Sequence, residues 1–267
     1  MTDEEQAINV ADLFSIKGKT ALVTGGSRGI GLMIARGYVE AGVKVYISSR
    51  KQDVCNKVAE ELSLIGPCIS VPANVATPEG RKVLVDELTK REGGLSILVN
   101  NAGITWGAPL EEYPDDAFQK VMNLNVNAMF ALTRDLLSLL EKAATREDPA
   151  RVINIGSMDG IHVPTVQQTG TYAYSASKAA VHHLTRALAV DLGPRNITVN
   201  AVAPGFFPSK ITEFIIERYL DDMEGNCPLK RLGKPAEMAG IAIYLASRAG
   251  AFTNGATIVV DGGKSIA

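Results

Sequence analysis

At 267 residues, with 46% hydrophobic and 21% charged residues, the chain can bury one large core and shows no compositional sign of disorder. Basic and acidic side chains nearly balance, 27 against 29, so nucleic acid is not an expected partner. The acidic N-terminus does not resemble a signal peptide, and no stretch approaches the roughly 18 apolar residues of a membrane span. Its three scattered cysteines fit a reducing compartment and lack metal-ligand spacing, so we expect a cytoplasmic protein without a metal.

Short runs rich in valine and isoleucine alternate with segments of helical periodicity, which is the pattern of βαβ units around a parallel sheet. The predicted strands are 21–25, 43–48, 68–73, 95–101, 151–157, 197–204 and 257–262. The predicted helices are 30–41, 53–64, 114–142, 172–192 and 235–245. We therefore expect an α/β fold of the Rossmann type, with a doubly wound sheet of seven parallel strands and helices on both faces.

One domain is expected, because no linker, internal repeat or low-complexity tract divides the chain. Residues 1–17 are interpreted as an N-terminal extension, and residues 18–267 as a single Rossmann-type domain. Within that domain, residues 206–232 break the alternation of strands and helices. We interpret them as a substrate-loop excursion over the sheet.

The first predicted strand leads directly into the glycine-rich segment TGGSRGIG, residues 24–31, and a helix begins where the segment ends. Strand, glycine-rich turn and helix is the order that a dinucleotide site needs. The glycines let the backbone approach a pyrophosphate, and the helix N-terminus meets its charge. A tight βα turn without a ligand is the alternative.

The end of the second predicted strand bears on the choice of cofactor. Residues 48–51 read SSRK, with no carboxylate to accept hydrogen bonds from the ribose hydroxyls of NAD. Arg50, together with Arg28 of the glycine segment, could instead bind the 2′-phosphate of NADP in forked geometry. NADP(H) is therefore the favoured cofactor. The alternative is that the basic residues only begin a solvated helix.

Tyr174 and Lys178 lie four residues apart in YSASK, which places both side chains on one face of a predicted helix. A lysine about 4 Å from a phenol could lower its pKa by up to about 3 units and make Tyr174 a general acid or base near neutral pH. With seven tyrosines in the chain, the pair alone could be coincidence. However, Ser157, the NNAG segment at 100–103 and the PG at 204–205 also end predicted strands, so all are expected to meet in one crevice.

In combination, TGGSRGIG, NNAG, the NVNAMF segment around Asn125, Ser157 with YSASK, and PG resemble the classical short-chain dehydrogenase/reductase family over about residues 18–263. By this resemblance Tyr174 is the catalytic acid or base, and Lys178 lowers its pKa and binds the nicotinamide ribose. Similarly, Ser157 polarises the substrate carbonyl and Asn125 holds a water in a proton relay. The residues expected to contact the cofactor, from the glycine segment and from this resemblance, are Gly25, Ser27, Arg28, Gly29, Ile30, Gly31, Ser49, Arg50, Asn74, Val75, Asn101, Ala102, Gly103, Tyr174, Lys178, Pro204, Gly205, Phe207 and Ser209.

The chain is most similar to the β-ketoacyl reductases, including their rhamnolipid-type branch. This resemblance implies a 3-oxoacyl thioester as the carbonyl substrate, an acyl carrier protein as a possible partner, and a homotetramer. Two departures affect the substrate. The stretch between Ser157 and Tyr174 is a few residues longer than usual, and of two arginines that dock an acidic carrier protein, Arg195 is present whereas Asp148 occupies the other position.

Other functions remain open from the sequence. The same chemistry could act on a sugar, steroid or xenobiotic carbonyl, or run as alcohol oxidation. A non-enzymatic alternative is a sensor or scaffold that binds NADP without turnover. His162, His182 and His183 lack metal-ligand spacing, and we expect packing or surface roles for them. Trp106 could line the substrate cleft or serve in packing.

Overall fold

The computed structural model describes residues 8–164, 169–208 and 225–267. Its strands are β1 (Thr20–Thr24), β2 (Lys44–Ser48), β3 (Cys68–Ser70), β4 (Ile97–Asn100), β5 (Ala150–Ile155), β6 (Ile197–Pro204) and β7 (Thr257–Val260). They form one parallel sheet in the order β3-β2-β1-β4-β5-β6-β7. The predicted seven-stranded Rossmann-type fold is confirmed. Several predicted strands were too long at their carboxyl ends, where the chain already turns into the loops of the site.

The α-helices of the described residues surround this sheet. They are α1 (Val10–Phe14), α2 (Gly29–Glu40), α3 (Gln52–Ser63), α4 (Pro78–Arg91), α5 (Asp115–Met122), α6 (Ala128–Asp135), α7 (Leu137–Ala143), α8 (Tyr172–Leu192) and α9 (Pro235–Ala246). Short 3₁₀ turns cover Leu110–Glu112, Met158–Gly160, Gly193–Arg195, Arg248–Gly250 and Lys264–Ile266. None of the helices described is long and apolar enough to cross a membrane.

The single helix predicted over 114–142 is wrong. A π-helical turn at Asn123–Asn127 separates α5 from α6, and a second break at Leu136 separates α6 from α7. The π turn contains Asn125, whose amide bonds the backbone of Ile104 on a neighbouring loop. Hydrophobic periodicity does not reveal such a turn, because the apolar positions resume directly after it.

Two helices were not predicted. Before α4, Thr77 accepts a hydrogen bond from the Gly80 backbone N–H at 3.1 Å and is followed by proline at the first helical position, so both start signals were present in the sequence. The short α1 lies within the predicted N-terminal extension and is capped by Asn9. Shortly after it, Ile16 is 1% exposed and belongs to the core. The extension therefore joins the domain at Ile16.

Two apolar layers enclose the sheet. Ala21 and Val23 of β1 pack with residues of α2, α3 and α9 on one face, while Leu22 between them packs with residues of α4, α6 and α8 on the other. This alternation follows from the geometry of a strand, whose successive side chains point to opposite faces. Because both faces are covered, loops at the ends of the strands are where the sheet can offer polar groups to a ligand.

Candidate active site

A cavity of about 410 Å³ lies at the carboxyl edge of the sheet, where the loops after β1, β2, β4, β5 and β6 meet. Strand order reverses between β1 and β4, and the connections that leave in opposite directions open a crevice there. Its lining residues are Gly25, Ser27, Arg28, Gly29, Ile30, Ser48, Ser49, Arg50, Lys51, Val54, Ala73, Asn74, Val75, Asn101, Ala102, Gly103, Leu124, Ile155, Gly156, Ser157, Tyr174, Lys178, Pro204, Gly205 and Phe207.

Three of the predicted site residues are not among those lining the cavity. Gly31 is buried behind the glycine turn, where a Cβ would lie 2.4 Å from both the Gly25 carbonyl oxygen and Asn101 Nδ2. Glycine at this position thus allows close packing, and its contact with the cofactor stays a prediction. Asn125 lies behind the wall beside Ile104. Ser209 lies outside the described residues.

The turn after β1 requires glycine at two positions. Gly25 and Gly29 have φ values of +66° and +53°, which favour glycine, and α2 begins at Gly29 with its free backbone N–H groups toward the cavity. Thr24 Oγ1 accepts hydrogen bonds from the backbone N–H groups of Asn101 and Ala102 at 3.0 and 3.1 Å. The turn after β1 is thereby fastened to the loop after β4, and a helix N-terminus suited to phosphate is presented.

One end of the cavity is cationic. Arg28, Arg50 and Lys51 line it, whereas no aspartate or glutamate does. None of the three forms an ion pair with another described residue. Beside them, Ser48 Oγ is buried without a hydrogen-bond partner among the described residues. Uncompensated guanidinium groups and a buried hydroxyl suit a phosphate ester on a ribose, so these residues fit NADP.

At the other end of the cavity, Tyr174 and Lys178 of α8 meet Ser157, which follows β5. Tyr174 and Ser157 line the same cavity, and Ser157 Oγ accepts from the backbone N–H of Asp159 at 3.1 Å. Lys178 Nζ lies 5.4 Å from the centre of the Tyr174 ring and donates to the Ile155 carbonyl at 2.7 Å. The structure therefore brings three of the four predicted catalytic side chains together at this end of the cavity.

The expectation that the pKa of Tyr174 lies below its ordinary value is wrong for this structure. Burial raises the pKa of Tyr174 to about 12; Ser157 opposes this rise and Asp159 adds to it. Burial also lowers the pKa of Lys178 to about 8, against the charge of Asp159. The sequence argument considered the attraction between the two groups and left out the cost of removing both from water, which is the larger effect here.

Asn125 connects the loop after β4 to the catalytic helix. Its Oδ1 accepts from the Ile104 backbone N–H at 2.9 Å, and its Nδ2 donates to the Ile104 carbonyl at 3.0 Å and to Ser177 Oγ at 2.9 Å. Both side-chain N–H groups are thus engaged by the protein. The water that the family resemblance assigns to Asn125 would need one of its remaining acceptors.

A buried polar chain supports the site and was missed from the sequence. Asn100 Nδ2 donates to Asn154 Oδ1 at 2.9 Å and to Thr133 Oγ1 at 3.0 Å, and Asn154 Nδ2 donates to Thr185 Oγ1 at 2.9 Å. All four residues are buried, and they link β4, β5, α6 and α8. One signal was available: an asparagine inside the apolar run RVINIGS must find polar partners once it is buried.

Comparison with known proteins agrees with this site. A family profile described as enoyl-(acyl carrier protein) reductase matches residues 25–265. The rhamnolipids biosynthesis 3-oxoacyl-[acyl-carrier-protein] reductase of Pseudomonas aeruginosa is 47% identical over 252 residues, which cover 94% of this chain and 97% of that protein. The chain belongs to the short-chain dehydrogenase/reductase family, as its motifs predicted, and is an oxidoreductase.

Solved structures extend this similarity. The Pseudomonas aeruginosa RhlG protein, in an active-site complex with NADP, has a TM-score of 0.92 and 46% identity, with 96% of this chain and 99% of that chain covered. A gluconate 5-dehydrogenase from Burkholderia cenocepacia, in complex with NADP and tartrate, has a TM-score of 0.89 and 31% identity, with 97% and 100% covered. Both relatives were solved with the cofactor that the cationic end of the cavity fits.

Proposed function

We propose that this protein is an NADPH-dependent carbonyl reductase that acts on a 3-oxoacyl thioester. The observation that carries the proposal is the cavity itself. One end holds Tyr174 and Ser157 beside Lys178, and the other holds Arg28 and Arg50 with no carboxylate among the lining residues. Similarity to a 3-oxoacyl reductase supports the choice of substrate.

In this proposal the cofactor is held along the cavity. The N-terminus of α2 meets the pyrophosphate, Arg28 and Arg50 bind the 2′-phosphate, and Lys178 binds the nicotinamide ribose. NADPH supplies the hydride when bound. The remaining chemistry, which is the protonation of the carbonyl oxygen and the stabilisation of its charge, belongs to residues of this chain.

Tyr174 donates the proton. Because burial raises the pKa of Tyr174 to about 12, the phenol is protonated at neutral pH, which is the form that reduction requires. Ser157 Oγ donates a second hydrogen bond to the carbonyl oxygen and stabilises the negative charge that develops there. The Lys178 ammonium, held at the Ile155 carbonyl, then stabilises the phenolate that remains.

Exposed apolar side chains on the loops that follow β4 and β5 support an acyl substrate. Trp106, on the loop after β4, and Ile161 and Val163, after β5, are 48%, 50% and 82% exposed. The loop that carries Trp106 is fixed to the catalytic helix by Tyr113, whose ring packs edge-on against Tyr172 at 5.6 Å. An alkyl chain would bury such surface, whereas a polyol would leave it in contact with water.

The surface that the resemblance assigns to a carrier protein is nearly balanced in charge. Arg195 pairs with Glu141 at 2.7 Å, and Asp148 pairs with Lys19 and Arg151. An acidic partner would therefore meet, at both positions, side chains that are already paired within the protein. This favours a thioester that does not depend on a carrier protein for binding.

A second candidate is reduction of a keto sugar acid. It is favoured by the structural similarity to the gluconate 5-dehydrogenase, whose complex holds NADP and tartrate. The two candidates share Tyr174, Ser157 and Lys178 and differ in what lies beyond the reacting carbonyl.

The experiment that tests the proposal is an NADPH-oxidation screen. Its substrates are an acetoacetyl thioester, the same acyl group on a carrier protein, a keto sugar acid, a steroid ketone and an unrelated small ketone. We expect the free thioester to be reduced with the highest kcat/KM and the carrier-bound form to be no better. Preferential reduction of the keto sugar acid would replace the first candidate with the second, and no oxidation with any carbonyl would contradict both.

Assembly and location are parts of the same proposal. We propose a homotetramer formed through α5 to α8, since these helices leave Phe118, Phe130 and Val190 at 40%, 41% and 80% exposure. Light scattering in solution would measure the assembly. Cytoplasmic location is proposed because Cys55, Cys68 and Cys227 are all free.

A further inference from the structure

His182 contacts the backbone of Ser157 and has no part in the proposed mechanism. We propose that His182 is a positioning residue, which accepts a hydrogen bond from the Ser157 backbone N–H and thereby holds the Ser157 hydroxyl against the substrate oxygen. This inference rests on the reductase function proposed above, in which Ser157 polarises the carbonyl. It replaces the expectation from the sequence that His182 has only a packing or surface role.

The turn after β5 wraps around the imidazole ring. His182 lies on α8 four residues after Lys178, is 6% exposed, and places Nε2 3.4 Å from the Ser157 backbone nitrogen. A Cβ on Gly156 would lie 2.1 Å from Nε2, so only glycine leaves room for the ring at that position. A Cβ on Gly160 would meet the backbone of Lys178 and Ala179 at 2.6 and 2.7 Å and the ring Cε1 at 2.8 Å, so the turn also lies close to α8 there.

The hydrogen bond from Ser157 specifies one tautomer of the ring. An imidazole that accepts at Nε2 carries its proton on Nδ1. Gly160, whose N–H donates to the Ser157 carbonyl at 3.1 Å, lies against the same ring. His182 therefore accepts from the turn at Ser157 and packs against it at Gly160, and these two contacts hold the backbone on both sides of the serine.

The surroundings favour the neutral ring. Burial lowers the pKa of His182, and the cations Lys178 and Arg186 on the same helix lower it too, whereas the Gly160 backbone raises it. No titratable side chain lies on β6, β5 carries Arg151 at its far end, and the turn carries Asp159 with His162 just after it. On α5, which also packs against α8, the charged residues are Asp115, Asp116 and Lys120. Protonation would turn Nε2 into a donor that faces the Ser157 N–H and would break the contact.

Substitution at position 182 tests the proposal, with NADPH oxidation by an acetoacetyl thioester as the assay. His182→Leu keeps an apolar filling but has no acceptor, and we expect kcat to fall about 10- to 100-fold because Ser157 shifts. The KM for NADPH is expected to change less than about twofold. His182→Gln, whose Oε1 can replace Nε2, is expected to recover most of kcat. The matched control is His183→Leu at the adjacent exposed position, which should behave as wild type. Wild-type kcat in His182→Leu, or equal losses in the Leu and Gln variants, would overturn the proposal.

A pH profile gives a second test if His182→Leu does not fold. The kcat of the wild type is expected to fall in acid as His182 becomes protonated, whereas His182→Gln cannot take up that proton and should retain its activity. Coincident acid limbs in the two proteins would overturn the proposal. If the enzyme is inactive on the thioester but active on another carbonyl, only the proposed substrate is contradicted. The His182 variants are then compared on that carbonyl.

Discussion

The two ends of the active-site cavity differ in how far their charged side chains are exposed to water. At the cofactor end, Arg28, Arg50 and Lys51 are exposed and keep their charge in contact with water. At the catalytic end, Lys178 is 6% exposed, and burial lowers its pKa to about 8 while raising that of Tyr174 to about 12. The exposed charges at the cofactor end can attract and select a phosphate. At the catalytic end, burial sets the pKa values of Tyr174 and Lys178.

This difference sharpens the interpretation of the Tyr174 and Lys178 pair. At neutral pH, burial stabilises the protonated phenol, and the lysine charge becomes most useful once the proton has left it. A phenol that holds its proton is the form that the proposed carbonyl reduction requires.

The largest expected effect comes from removing the acid at the catalytic end. Tyr174→Phe should lower kcat about 10²- to 10⁴-fold, because the carbonyl oxygen loses its proton donor, while the Kd for NADPH changes less than about twofold. Stopped-flow reduction and fluorescence titration measure the two quantities. Tyr172→Phe, on the same helix and packed against Tyr113, is the control and should stay near wild type. Near-normal turnover by Tyr174→Phe would mean that another group delivers the proton.

The second effect concerns stability and follows from the buried charge of Lys178. Its pKa of about 8 in the folded protein lies below the ordinary value of 10.5, so between these values the unfolded chain binds more protons and the wild type gains stability as pH rises. Lys178→Met lacks this gain. The difference in the free energy of unfolding between wild type and Lys178→Met should therefore shift by roughly 2 to 3 kcal/mol in favour of the wild type between pH 7 and pH 10.

Denaturant unfolding of both proteins at the two pH values checks this expectation. Lys82→Met is the control, since that side chain is 72% exposed and its difference from wild type should stay nearly constant. A Lys178→Met difference that is also constant with pH would show that the lysine is not desolvated in the folded protein. The two ends of the cavity would then not differ in how far their charged side chains are exposed to water.

The same contrast explains what could be predicted from the sequence. The strands were recognisable because they are buried on both faces, and the glycine turn and YSASK because local spacing alone places their groups. Three contacts could not be predicted because they join segments that are far apart in sequence. They are the bond of Asn125 in the π turn to Ile104, the bonds of Asn154, and the contact of His182 with Gly156. The pKa of Tyr174 also required the packed structure, because burial, which no spacing reveals, determines its direction.

The smallest expected effect is on cofactor selection at the cationic end. Arg50→Ala removes one charge-assisted contact to the 2′-phosphate, so the Kd for NADPH should rise about 10- to 100-fold while the Kd for NADH changes less than about threefold. Lys57→Ala, which removes an exposed charge of α3 outside the cavity lining, is the matched control and should affect neither cofactor. Calorimetric titration at two salt concentrations separates direct contact from general attraction, because a long-range effect would be screened. Equal weakening of NADPH and NADH would show that Arg50 does not read the 2′-phosphate, and would transfer that role to Arg28 or Lys51.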